Sequence, residues 1–211
     1  MKDNNLGAII EWLSINAPRI TEFSLNKPAT EIDIDRLKKT FEKDIPQDFI
    51  DLYYTYNGMN REKNNGNFFY AFLFLSIDDI IANKQFSNAQ SKGQLPIKLN
   101  SYDKEIEGTN IYNPNWLAFG FDGARSYLIL DLSPAENGTF GQIIFIDGDH
   151  LVGILIANSI TELIEKFAKD INNGLYSLDE EALEDQEHFL AVDDSIDLLY
   201  WYNIAKWKHH E

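Results

Sequence analysis

The sequence predicts an α+β chain: an antiparallel β-meander set among capped amphipathic helices. Three observations carry this. Between Asn115 and Asp149, three apolar runs, Trp116–Phe121, Tyr127–Leu132 and Phe140–Ile146, alternate with Asp122-Gly123, Ser133-Pro134, Asn137-Gly138 and Asp147-Gly148. Asp-Gly and Asn-Gly tolerate positive φ and mark tight reversals. The runs are too short for typical helices and rich in aromatic and β-branched residues, as strands are. On both sides of this stretch, apolar residues recur at helical spacing behind Ser or Thr caps.

Taken in order, Leu6, Ile9, Ile10 and Leu13 define a first helix over 3–16, which Pro18 breaks. Ile20–Leu25 alternates and reads as a short strand or extended linker. Thr30 and Asp33 form a capping signal for a helix over 31–42, with Ile34, Leu37 and Phe41 on one face. Pro46 suits the first turn of a new helix, which Asn57-Gly58 is expected to stop. Asn60 to Asn67 reads as an exposed loop, and Phe68–Leu75 as a buried strand. Ser76 and Asp79 cap a helix carrying Ile77, Ile80, Ile81 and Phe86, ending before Gly93. Pro96 to Pro114 is a long loop, a kind of segment that is often functional. After the meander, Leu151–Ala157 fits a last core strand. Ser159 and Glu162 cap a helix lined by Ile160, Leu163, Ile164, Phe167 and Ile171, stopping at Asn173-Gly174. Beyond Tyr176 the chain turns acidic, then aromatic, and Leu198–Ile204 suggests a C-terminal helix.

Composition narrows the function. The chain has 211 residues, 44% of them hydrophobic, enough for a sizeable core. It has no cysteine, which excludes disulfides and thiolate metal sites. The N-terminus lacks the apolar segment of a signal peptide, and no run approaches a bilayer span of about 20 residues. A cytoplasmic protein is expected. The net charge is −16, from 34 acidic and 18 basic residues. Such a chain repels nucleic acid and anionic membrane, and attracts basic partners. Acidity that only maintains solubility is the plainer alternative.

Two blocks resemble the SUKH superfamily, which includes the Smi/Knr cell-wall-assembly regulators of fungi. The first is Ile45-Pro46-Gln47-Asp48-Phe49-Ile50-Asp51-Leu52-Tyr53-Tyr54-Thr55-Tyr56-Asn57-Gly58. The second joins Trp116-Leu117-Ala118-Phe119, Tyr127 to Asp131, Pro134 and Gly141-Gln142-Ile143. The resemblance implies a mostly antiparallel, curved sheet packed by helices. Residues 1–174 would form this domain, with the motifs in 30–174. Residues 175–211 would be an acidic, then aromatic, helical extension packed on the same body. The resemblance also implies a non-enzymatic binding module that needs no cofactor. Many bacterial members are immunity proteins that neutralise a toxin, often a nuclease, whereas fungal members are regulatory interaction proteins. The leading expectation is an immunity protein for a basic toxin domain; the alternative is a regulatory scaffold, and a less favoured one is a hydrolase.

The candidate residues follow from these readings. Asp122, Asp131, Asp147 and Asp149 could be paired carboxylates for acid–base or metal chemistry, but their turn contexts favour local backbone hydrogen bonding. His150 has neither Cys nor a Ser elbow beside it, so no catalytic residue is assigned. His209 and His210 could bind a metal adventitiously, yet read better as terminal residues of no consequence, so no metal site is assigned. Trp116, Asp122, Arg125 and Asp131 are the meander candidates for touching a protein partner. Glu180, Glu181, Glu184 and Asp185 are the acidic candidates, because an acidic inhibitor complements a surface built to bind phosphates.

Overall fold

The computed structural model describes residues 4–62 and 66–210. The chain opens with α1 (Asn4–Asn16), whose expected start at Asp3 lies outside the described residues. Ile20–Ser24 then forms a single π-helical turn, so only Leu25, bridged to Met59, is extended. The alternating pattern there reflects burial of Ile20 and Ser24 within a turn, not a strand. Next come α2 (Glu31–Phe41) and α3 (Gln47–Thr55). Thr30 and Asp33 close a full capping box, with the Asp33 amide donating to Thr30 Oγ1 and the Thr30 amide to Asp33 Oδ2.

The Phe68–Leu75 run is buried as expected, but it is not one strand. Phe69–Ala71 forms a 3-10 turn, with Tyr70 and Ala71 at positive φ, and only Leu73–Phe74 pairs as β1. Helix α4 (Ile77–Ser91) carries a second full capping box, from Ser76 and Asp79. Its Phe86, expected on the apolar face, is 65% exposed. The long loop contributes a two-residue strand, β2 (Ser101–Tyr102). The expected strands then follow: β3 (Trp116–Phe121), β4 (Ser126–Asp131), β5 (Gln142–Asp147) and β6 (Val152–Ala157).

The sheet order is β1-β3-β4-β5-β6-β2. Neighbours from β1 to β6 run antiparallel, and β2 runs parallel to β6 at the edge. Register shifts at Ala118/Gly120 and Ile143/Ile144 interrupt the ladder. Helix α5 (Ile160–Asn172) returns over the sheet and packs against α1 and β6. Ser159 caps it, but Glu162 bonds the Asn158 amide instead of closing a box on Ser159.

The segment from Tyr176 holds more than helix. β7 (Tyr176–Leu178) and β8 (Leu190–Val192) form a separate hairpin around the short α6 (Glu180–Glu184). Leu198–Asn203 is 3-10, not α-helical, and it does pack on the body through buried Leu198 and Trp201. The loop before Phe68 is likewise less open than its polarity implies. Asn67 is buried and exchanges hydrogen bonds of 3.0 and 2.8 Å with the Leu190 backbone. No helix among the described residues is long and apolar enough to cross a membrane.

Strand alternation sorts the sheet into two apolar faces. Leu117, Phe119, Leu128, Leu130, Ile143, Phe145 and Ile154 face the main core with the helices. Trp116, Ile129, Ile144 and Ile146 face a second, smaller cluster. Leu99, Ile106, Tyr102 and Ile111 of the long loop cover part of that second face. Where this cover ends, a groove opens.

A candidate interaction surface

The groove on the second face measures about 530 Å³. Its floor is sheet: Trp116, Ala118, Tyr127, Ile129 and Ile146. One wall is α4, through Lys84 and Phe86; the other is the loop at Ile111–Asn113, and the β3–β4 turn closes the end with Arg125. Trp116 is 7% exposed, so it is both core and groove floor. Lys84 lies 5.1 Å from the Phe41 ring and donates to the Pro114 carbonyl, tying α4 to the loop. Burial lowers the Lys84 pKa from its ordinary value. Arg125 is exposed and pairs at 3.3 Å with exposed Asp149. A larger hollow of about 650 Å³ lies between α1, α3 and α5, but its Asp48 already accepts from the Thr161 amide and hydroxyl.

The expected contact residues divide between surface and interior. Trp116 and Arg125 meet in the groove. Asp122 stands in the same turn, where its Oδ1 accepts from the Ala124 and Ser126 amides at 2.7 and 3.0 Å. Asp131 does not reach the surface: it is 0% exposed. It accepts from the Ser133 amide at 2.9 Å and from Gln142 Nε2 at 3.0 Å, and Gln142 also donates to the Glu105 carbonyl at 2.8 Å. Burial raises the Asp131 pKa, against the opposing hydrogen bonds from the Ser133 amide and Gln142. This network ties the long loop at Glu105 to β4 and β5. Asp147 is also committed internally, accepting from the His150 ring at 2.8 Å and from Trp201 Nε1 at 3.0 Å. Burial pushes its pKa up, but these bonds and two backbone amides outweigh that and hold it below the ordinary value.

Glu180, Glu181, Glu184 and Asp185 are exposed at the tip of the β7–β8 hairpin. Among the described residues none of the four forms an ion pair. The hairpin packs on the Asn67–Ala71 segment, and its Tyr176 hydroxyl accepts from the Tyr70 amide at 3.1 Å. Phe68 and Phe69 of that segment belong to the main core, on the other side of the sheet from the groove. The structure therefore presents an apolar groove with basic rims and, separately, an acidic tip. Phe86 and Lys84 had no motif to announce them.

The two motif blocks touch directly. Gly141 has φ +83°, and a Cβ there would meet Pro46 Cγ at 2.5 Å. Phe49 meets Phe119 edge-on at 5.6 Å between ring centres, and the Tyr53 hydroxyl donates to the Leu75 carbonyl at 2.8 Å. Residues 28–166, about two thirds of the chain, match the SMI1/KNR4 family model, also called SUKH-1. The chain belongs to the SMI1/KNR4 family. It is 21% identical over 193 residues to the "Cell wall biosynthesis/cell cycle regulator smi1" of Schizosaccharomyces pombe, covering 86% of this chain and 36% of that protein. It is 20% identical over 219 residues to the "Cell wall assembly regulator SMI1" of Saccharomyces cerevisiae, covering 88% and 42%. A "Glucan synthesis regulatory protein" of Neurospora crassa is 20% identical over 210 residues, covering 83% and 39%. The SMI1/KNR4 chain described here thus spans about two fifths of the length of these relatives. All three are named as regulators and none as an enzyme.

Proposed function

We propose that this chain is a non-enzymatic protein-interaction module of the cell-wall-assembly-regulator type, which docks a protein partner in the Trp116–Arg125 groove. The observation that carries the reading is membership of the SMI1/KNR4 family beside relatives named as regulators. The groove supports it with an aromatic and aliphatic floor, an exposed Phe at one rim and an Arg at the other. Trp, Tyr and Arg are enriched where interfaces hold their partners, and apolar patches that stay open mark such sites. The test compares partners retained by the wild-type chain with those retained by Phe86→Ala and Arg125→Glu. Both residues are exposed, so each change should leave stability within about 0.5 kcal/mol. Partners that depend on the groove should be lost from both variants. A partner held equally by wild type and both variants places the contact elsewhere and overturns the groove.

A second reading is favoured by one observation, the net charge of −16 with its unpaired acidic tip. In it, the chain is a cytoplasmic immunity protein that neutralises a basic toxin domain. Co-purification with a toxin encoded beside it, weakened when Glu180, Glu181, Glu184 and Asp185 are replaced by Lys, supports this reading. A neighbouring toxin that is neither bound nor neutralised removes it.

A further inference from the structure

One cluster lies outside the groove and the acidic tip. It joins the loop after β2 to the end of the described chain. Asp103 Oδ1 stands 3.3 Å from His209 Nε2 and 3.3 Å from His210 Nε2. The three donor atoms lie within 4.8 Å of one another. We propose that Asp103, His209 and His210 form a zinc-class metal site that clasps residues 207–210 to the β2–β6 edge of the sheet.

The spacing suits an ion. Zinc bonds of 2.0–2.2 Å to imidazole and carboxylate place neighbouring donors about 3.3 Å apart in a tetrahedron. Two of the three edges already have that length. The third closes through His209, whose side chain is 59% exposed and free to adjust.

The other sides of these ligands are already engaged. Asp103 Oδ2 accepts from the Leu155 amide at 2.7 Å, and the Asp103 amide donates to the Gly153 carbonyl at 3.1 Å. Those bonds come from β6, so the carboxylate is anchored by the sheet. His210 Nδ1 bonds Ser101 Oγ at 2.9 Å, which leaves Nε2 facing Asp103. Metal-binding histidines are commonly oriented in this way, by a hydrogen bond at the nitrogen that does not ligate.

His210 is the most enclosed of the three. Its side chain is 1% exposed, and its Nε2 makes no well-formed hydrogen bond, facing the Asp103 carboxylate at 3.3 Å. A buried ring nitrogen left so calls for an explanation, and a metal supplies one. Lys206 is the nearby cation, within electrostatic reach of Asp103. Two imidazoles and one carboxylate suit zinc better than magnesium or calcium, which prefer all-oxygen donors.

The whole chain, stripped with a chelator and dialysed, is titrated with Zn²⁺ by calorimetry and with Co²⁺ by visible absorption. One equivalent should bind, Co²⁺ should give the strong d–d bands of a tetrahedral imidazole site, and Mg²⁺ should give no heat. His209→Ala and Asp103→Asn should abolish the Co²⁺ bands. Ser101→Ala should weaken Zn²⁺ about 10- to 100-fold, as loss of an outer partner does. Circular dichroism of the metal-free variants reports folding, and Ser101→Ala and Asp103→Asn change little volume. Absence of stoichiometric Zn²⁺ binding overturns the proposal, as does binding undiminished in His209→Ala and Asp103→Asn.

Discussion

Gly58 illustrates how one residue can answer to a constraint far along the chain. Its φ is +66°, and a Cβ would lie 2.4 Å from the Leu75 carbonyl carbon and from the Ser76 amide nitrogen. The Asn57-Gly58 pair suggested a left-handed helix stop, but α3 ends earlier, with Tyr56 already extended at its C-cap. Gly58 instead lets the backbone cross the start of α4. Gly58→Ala should cost about 1–3 kcal/mol from strained backbone, with the clash against main chain adding to it. Urea unfolding measures this, and an unchanged midpoint would show that the crossing relaxes freely. The same scale separates legible from hidden site residues. Trp116 was offered as an aromatic anchor and Arg125 as a partner for a carboxylate, and both line the groove. Asp131 was misplaced because an acidic residue at a strand end reads as exposed until its partners, Gln142 and Ser133, are known.

Among the elements, helices were the most legible, because caps and 3.6-residue periodicity are local. Helix α5 shows this best: Ser159 caps it, and Ile160, Leu163, Ile164, Phe167 and Ile171 are all buried. Glu162 at its first turn yields a pH prediction. Partial burial raises its pKa, but bonds from Lys166 and from Asn158 dominate and take it from 4.5 to about 2. A carboxylate depressed on folding contributes stability above its unfolded value and loses it as pH falls toward the folded one. Wild type should therefore lose this contribution between about pH 4.5 and 2. Glu162→Gln should be less stable than wild type at pH 7, with the difference closing across that window. Denaturant midpoints over the range test it, and a difference constant with pH would contradict it. Strands away from the meander were less legible. Phe68–Leu75 is apolar enough for a strand, yet it curls into a 3-10 turn that packs Phe68 and Phe69 against Phe167. The β7–β8 hairpin was hidden because α6 sits between its strands and no short turn signal joins them.

At the scale of the whole molecule, charge and topology act separately. The net charge of −16 is a property of the whole chain, and a field of that sign would speed encounter with any basic protein. Exposed charges are screened beyond about 8–10 Å at physiological ionic strength. Capture of a basic partner through the acidic tip should therefore weaken steadily as salt rises, chiefly through a slower association rate. An affinity equal at low and high salt would assign binding to the apolar groove alone. The sequence by itself determined the helices, the meander, the family and the sign of the charge, because periodicity, turn chemistry and composition act over a few residues or sum over all of them. Tertiary structure alone decided that the long loop covers only part of the sheet's second face, leaving Trp116 and Arg125 on a groove beside Phe86. It also brought Asp103 to His209 and His210, from 106 and 107 positions away in the chain. Both arrangements depend on which strands become neighbours, and no local pattern records that.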